Sequence, residues 1–193
     1  MSDKSEDFFK AIKSTFISAG VATAAALLGA NLVVVALAWE SPPEEGGIVT
    51  ITFLMMMSFV VFISELHQIM RTEYLITIIN VKEKENKDVE IEDREIHMLS
   101  KSIRMLHVSG LLFTMIAFWI ISYKYLISLE EVGYNVTILL LPFILFFLYW
   151  MPKFIGVEKE IGFLSPESMI QLVIQIIVLV LICLDFFKII TIP

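Results

Sequence analysis

Five apolar runs, 16–39, 48–64, 105–123, 136–150 and 169–187, dominate this chain and leave few folds open to it. A hydrocarbon core of roughly 30 Å takes about 20 apolar residues in a helix. All five runs approach that length. The two shortest can extend into their flanks, where a helical pattern continues through 65–79 and where Tyr134 and Lys153 suit an interface. The expectation is an all-α integral membrane protein of one domain with five transmembrane helices. A hydrophobic share of 58% and a mean hydropathy of +0.82 lie above the soluble range and agree with it.

Chain breakers separate the runs. Ser41-Pro42-Pro43 and Gly46-Gly47 lie between the first two, Gly133 precedes the fourth, and Met151-Pro152 ends it. Ser165-Pro166-Glu167 suits a helix start, with an N-cap side chain, a proline whose missing N–H costs nothing there, and an acid in the first turn. The first run exceeds a signal-peptide core and has no clear small-residue cleavage site before Glu40, so it is expected to stay as a helix.

Positive residues are retained on the cytoplasmic side during insertion. Of the 14 Lys and Arg, all but Lys124 and Lys188 precede run one, lie in 71–104 or follow run four. This places the amino terminus in the cytoplasm and the carboxyl terminus outside, in a multi-pass protein of the cell membrane. Trp39, Tyr123, Tyr125, Tyr134, Tyr149 and Trp150 fall near run ends, where amphipathic rings favour the headgroup region. Asn135-Val136-Thr137 matches a glycosylation acceptor on the outer side, hard against the membrane.

The segment 65–104 is charged yet periodic. Ile96, Leu99, Ile103 and Leu106 repeat at helical spacing among charged residues, and Leu75, Ile78 and Ile79 form a second apolar stripe. An amphipathic helical hairpin between helices two and three is expected, cytoplasmic and closed near 82–88.

A net charge of -7 with no basic stripe argues against nucleic acid. A single cysteine, Cys183, rules out an intrachain disulfide, a thiolate zinc cluster and two-cysteine redox chemistry. His67, His97 and His107 make no His-x-x-x-His pair, so no metal site is expected. No nucleophile with its base and no phosphate-cradling glycine loop is present. The chain is expected to be neither an enzyme nor a cofactor carrier.

Polar residues in or beside the runs are the candidates for function. Glu65, His67 and Gln68 end helix two, with Arg104, His107 and Lys101 as possible partners from helix three. Glu65, His67 and His107 could form a proton or cation site, or the cluster could be a salt-bridge and hydrogen-bond layer that fixes the two helices. Gln171, Gln175 and Asp185 share a stripe on helix five, which could line a water-filled path. Alternatively, the glutamines bridge helices and Asp185 makes an exposed ion pair with Lys188 one turn away. Asn31 is expected to bridge helices. Ser18, Ala22, Ala26 and Ala30 give helix one a small-residue face, either packed inside the chain or turned toward other copies. Glu40, Glu44 and Glu45 at its outer end could form an acidic pore mouth or a solvated loop.

A basic amino-terminal segment, a small-faced first helix ending in an outer glutamate, and a cytoplasmic hairpin into helix three resemble the Orai calcium-channel family in layout. That resemblance implies a pore lined by first helices. The fifth run departs from the four-helix Orai plan with both termini inside, no motif is shared, and no site residue carries over. The leading expectation is a homo-oligomeric channel for cations or protons, with the lipid bilayer as solvent. The alternatives are an accessory subunit of a larger membrane complex and a sensor acting through its hairpin.

Overall fold

The computed structural model describes residues 3–44, 46–85, 88–128, 137–154 and 166–193. Gly133, Tyr134, Asn135, Val136, Lys159, Ser165 and Glu45 lie outside these. Five helices follow in order: α1 Asp3–Glu40, α2 Ile48–Lys84, α3 Glu90–Ser128, α4 Thr137–Phe154 and α5 Pro166–Phe186. No strand occurs among the described residues. Ile- and Val-rich stretches would favour strands in water, but an apolar solvent obliges each segment to satisfy its own backbone, and the helix does so.

Four helices are long and apolar enough to cross a membrane: Gly20–Glu40, Ile48–Lys82, Glu90–Ser128 and Met169–Phe186. The apolar part of α4, Ile138–Met151, is shorter. The first three helices outrun the apolar sequence that seeds them. At 1.5 Å per residue, the 39 residues of α3 measure about 58 Å, nearly twice a hydrocarbon core. Its charged beginning lies beyond the run 105–123, which by itself has about the length that fills such a core.

Two compact units divide the chain. The first comprises residues up to Leu32 together with Met57–Leu111, and the second comprises Val33–Met56 and Leu112–Pro193. In the first unit, Leu75, Ile79, Ile96 and Leu99 make an apolar seam between α2 and α3, with Ile76 and Val89 against it. Ion pairs Arg71–Glu95 and Lys82–Glu92 flank the seam. An Asx turn, Glu90 N–H to Asp88 Oδ1 at 3.0 Å, starts α3. Nearer the apolar part, α2 and α3 approach so closely that a Cβ on Gly110 would lie 2.8 Å from the Phe62 ring.

The second unit is centred on aromatic rings. Trp119, Tyr123 and Trp150 are almost wholly buried, with Phe146, Ile51, Met55 and Ile182 among them. Trp119 and Phe146 meet edge to face at 6.2 Å between centroids. Gly46 and Gly47 enter α2 with φ of +82° and +93°, values that an L side chain rarely adopts. The end of α5 forms a Schellman motif: Lys188 N–H donates to Asp185 C=O and Ile189 N–H to Leu184 C=O, both at 2.9 Å. Lys188 holds the left-handed position, φ 57°, that glycine usually fills. The chain beyond folds back so that Pro193 O accepts from Thr50 N–H at 2.9 Å, serving a donor that α2 cannot satisfy in its own first turn.

Candidate functional site

The first unit contains two polar sites built across apolar helices. Asn31 Nδ2 donates to Ser58 Oγ, and Ser58 Oγ donates to the Gly110 carbonyl, both at 2.9 Å. Asn31 thus bridges helices, and Ser58 and Gly110 complete the relay. Two turns along α2, Glu65 is 2% exposed, and its Oε1 lies 2.9 Å from His107 Nδ1 on α3. The Phe62 ring stands edge-on to the imidazole, with centroids 6.2 Å apart.

Glu65 Oε2 and Gln68 Oε1 are both buried without a hydrogen-bond partner. A spacing of three places them on one face of α2. His67, which the sequence grouped with Glu65, is exposed and takes no part in the pair. Arg104 and Lys101, the other prospective partners of Glu65, are exposed as well.

In the second unit Asp185 departs from expectation. It is buried, not exposed, and its carboxylate is held by three donors from elsewhere in the unit. Lys124 Nζ lies 2.9 Å from Oδ2 and 3.0 Å from Oδ1, Tyr123 OH donates to Oδ2 at 2.7 Å, and Ile192 N–H donates to Oδ1 at 2.7 Å. Lys188 is exposed, in the turn beyond α5. The reason is energetic: a carboxylate in an apolar core needs several donors at once, and a solvated ammonium one turn away supplies too little.

Gln175 is fully buried and its Oε1 accepts from Trp150 Nε1. Gln171 is also buried, and the Nε2 groups of both glutamines lack acceptors. The stripe on α5 therefore points into its own unit. Glu40 and Glu44 are exposed at the end of α1 and in the loop after it.

This chain matches no family model, no curated protein and no solved structure. Chemistry alone must therefore distinguish these sites. No group of three metal-ligating side chains occurs among the described residues. The Asp185 site is saturated with donors, which suits a structural clamp. The Glu65 site has a buried carboxyl oxygen and an amide oxygen unserved, which suits binding of something small that donates a hydrogen bond.

Sequence reasoning overlooked Lys124, Tyr123, Ser58 and Trp150. A signal for the first was present: Lys124 interrupts an apolar stretch, and Asp185 is the one acid in run five. Opposite charges isolated in apolar runs are expected to find each other. Nothing comparable marks Ser58 or Trp150.

Proposed function

We propose that this chain is a structural subunit of an oligomeric assembly in the cell membrane, joined to its neighbours through α1. The observation that carries the reading is how little of α1 the chain itself covers. From Gly20 to Glu40 its buried residues are Ala24, Asn31 and Ala38, a seam one residue wide repeating every seven. On the opposite face Ala22, Ala26, Gly29, Val33 and Ala36 repeat at four and three, and all are exposed. Only 17% of the apolar window of α1 is buried, against 39% for α3.

Small residues at that spacing allow another helix to approach closely, which is the main source of association where lipid removes the hydrophobic driving force. The topology that goes with this reading has five spans, with the amino terminus inside. About 27 Å of helix in the 18 residues of α4 supports a fifth span.

A homo-oligomeric pore for cations or protons is the second reading, favoured by the unserved oxygen of Glu65. It ranks second because the open face of α1 is apolar throughout, and a pore lined by it would tend to dewet. The glutamines of α5, candidates for lining a path, are turned inward.

The test is the native mass of the gently extracted protein, wild type against Gly29→Leu and Ala26→Leu. A Cβ on Gly29 meets nothing within 4 Å, and leucine is the better helix former, so the variant chain should fold. Wild type should migrate as a complex and both variants as single chains of unchanged helicity. A wild-type monomer would overturn the proposal. Identical subunits in the complex would keep the pore alive, whereas foreign subunits would end it.

A further inference from the structure

Glu65 Oε2 and Gln68 Oε1 are two acceptors, and neither can satisfy the other. A metal cation would need more oxygens than this: hard cations take six or more, and no group of three metal-ligating side chains is found among the described residues. Both lie on one face of α2, three residues apart, and a proton on Glu65 Oε2 turns one of the two acceptors into a donor.

We propose that Glu65 is a proton-binding residue, its Oε2–H donating to Gln68 Oε1 while its Oε1 accepts from His107 Nδ1. Uptake forms the Oε2–H bond, and release breaks it. A proton arriving by way of His107 passes from Nδ1 to Oε1, His107 regains a proton from water, and rotation of the carboxyl group carries the new O–H to the Gln68 side; the His107 side chain is 32% exposed and that of Glu65 2%. The surrounding charges permit this. From α3, His107 is the titratable group in contact, and Lys101 and Arg104 are exposed. From α1, no titratable residue occurs between Gly20 and Trp39, and buried Ala24 lies in that stretch. On α2 itself His67 and Arg71 are exposed, and Arg71 is paired with Glu95. Among the described residues, His107 is the titratable side chain that pairs with the Glu65 carboxyl.

The inference stands apart from assembly through α1, since neither Glu65 nor Gln68 belongs to that helix. It deepens the pore reading by naming the proton, but it does not require conduction.

The test is infrared spectroscopy of the full chain in lipid vesicles. At neutral pH wild type should show one protonated-carboxyl C=O band, which moves when glutamate carboxyls are labelled with carbon-13. Glu65→Gln should lack it. That variant places an N–H donor where the acid has O–H, so it mimics the protonated state and should keep wild-type helicity and native mass. Gln68→Leu should shift the band to higher frequency, because the O–H loses its acceptor. The isotope label needs no variant, so a folding failure would not leave the proposal untested. Absence of a glutamic-acid band at neutral pH would overturn it, leaving Glu65 as a carboxylate served by water or by a turned Gln68 amide.

Discussion

Replacing Lys124 by methionine tests the Asp185 clamp most directly. Methionine preserves the start of the lysine stem, whose Cγ packs against the position where a Gly47 Cβ would lie, 2.9 Å away, so the change removes charge more than volume. The side chains of Lys124 and Asp185 are 2% and 5% exposed, and the carboxylate left behind would keep Tyr123 and Ile192 but lose its counter-charge. Breaking one side of a buried pair costs roughly 3–5 kcal/mol. That is about two to four orders of magnitude in the unfolding equilibrium constant.

Neutralising the second partner as well, in Lys124→Met with Asp185→Asn, should recover part of this. The asparagine oxygen still accepts one hydrogen bond, so the remaining cost is about 1–3 kcal/mol for the donor left without a partner. The assay is denaturant unfolding in detergent, followed by tryptophan fluorescence, for wild type, both single variants and the double. The double variant should be more stable than Lys124→Met alone by on the order of 2 kcal/mol, so the cycle completed by Asp185→Asn should be far from additive. Strict additivity, or a Lys124→Met cost under about 1 kcal/mol, would refute the reasoning, because it would mean that water reaches the pair.

Three further outcomes are expected. Gly110→Ala should destabilise by about 1–3 kcal/mol, since the new Cβ would meet the buried Phe62 ring at 2.8 Å, and Phe62→Leu in the same chain should restore part of the loss in thermal unfolding. Lys188→Gly should raise stability by about 1 kcal/mol, because glycine holds φ 57° without strain; an unchanged or lower melting temperature would argue that the lysine side chain makes up the difference. Outside the bilayer, the Lys82 ammonium hydrogen-bonded to Glu92 holds that carboxyl below its ordinary range, so its contribution to hairpin stability is present above the ordinary carboxylate value and lost as pH falls through the lowered one. Carbon-13 NMR should find the Glu92 midpoint higher in Lys82→Met, and an identical midpoint would remove Lys82 as the cause.

How much was legible depended on whether a signal was local. The breakers at Pro42-Pro43 and Gly46-Gly47 lie where α1 ends and α2 begins, because fixed or permissive φ is a property of those residues alone. The stripes at Leu75 and Ile79 and at Ile96 and Leu99 also lie where periodicity places them. The sequence reading brought Glu65 and His107 together with His67, which the structure leaves exposed and outside the pair. A residue two positions along a helix turns by about 200°, so His67 faces away while Gln68 shares the face of Glu65.

The sequence alone determined solvent and secondary structure. Apolar runs of this length dictate helix, because each such segment must satisfy its own backbone. Only the tertiary structure decided the partners. Asp185 chose Lys124 across 61 positions rather than Lys188 three away, and Asn31 found Ser58 and through it the Gly110 carbonyl. Hydrogen bonds and ion pairs act over a few ångströms, so which polar atoms are served, and which, like Glu65 Oε2, are left unserved, is fixed by helix packing that no single segment encodes.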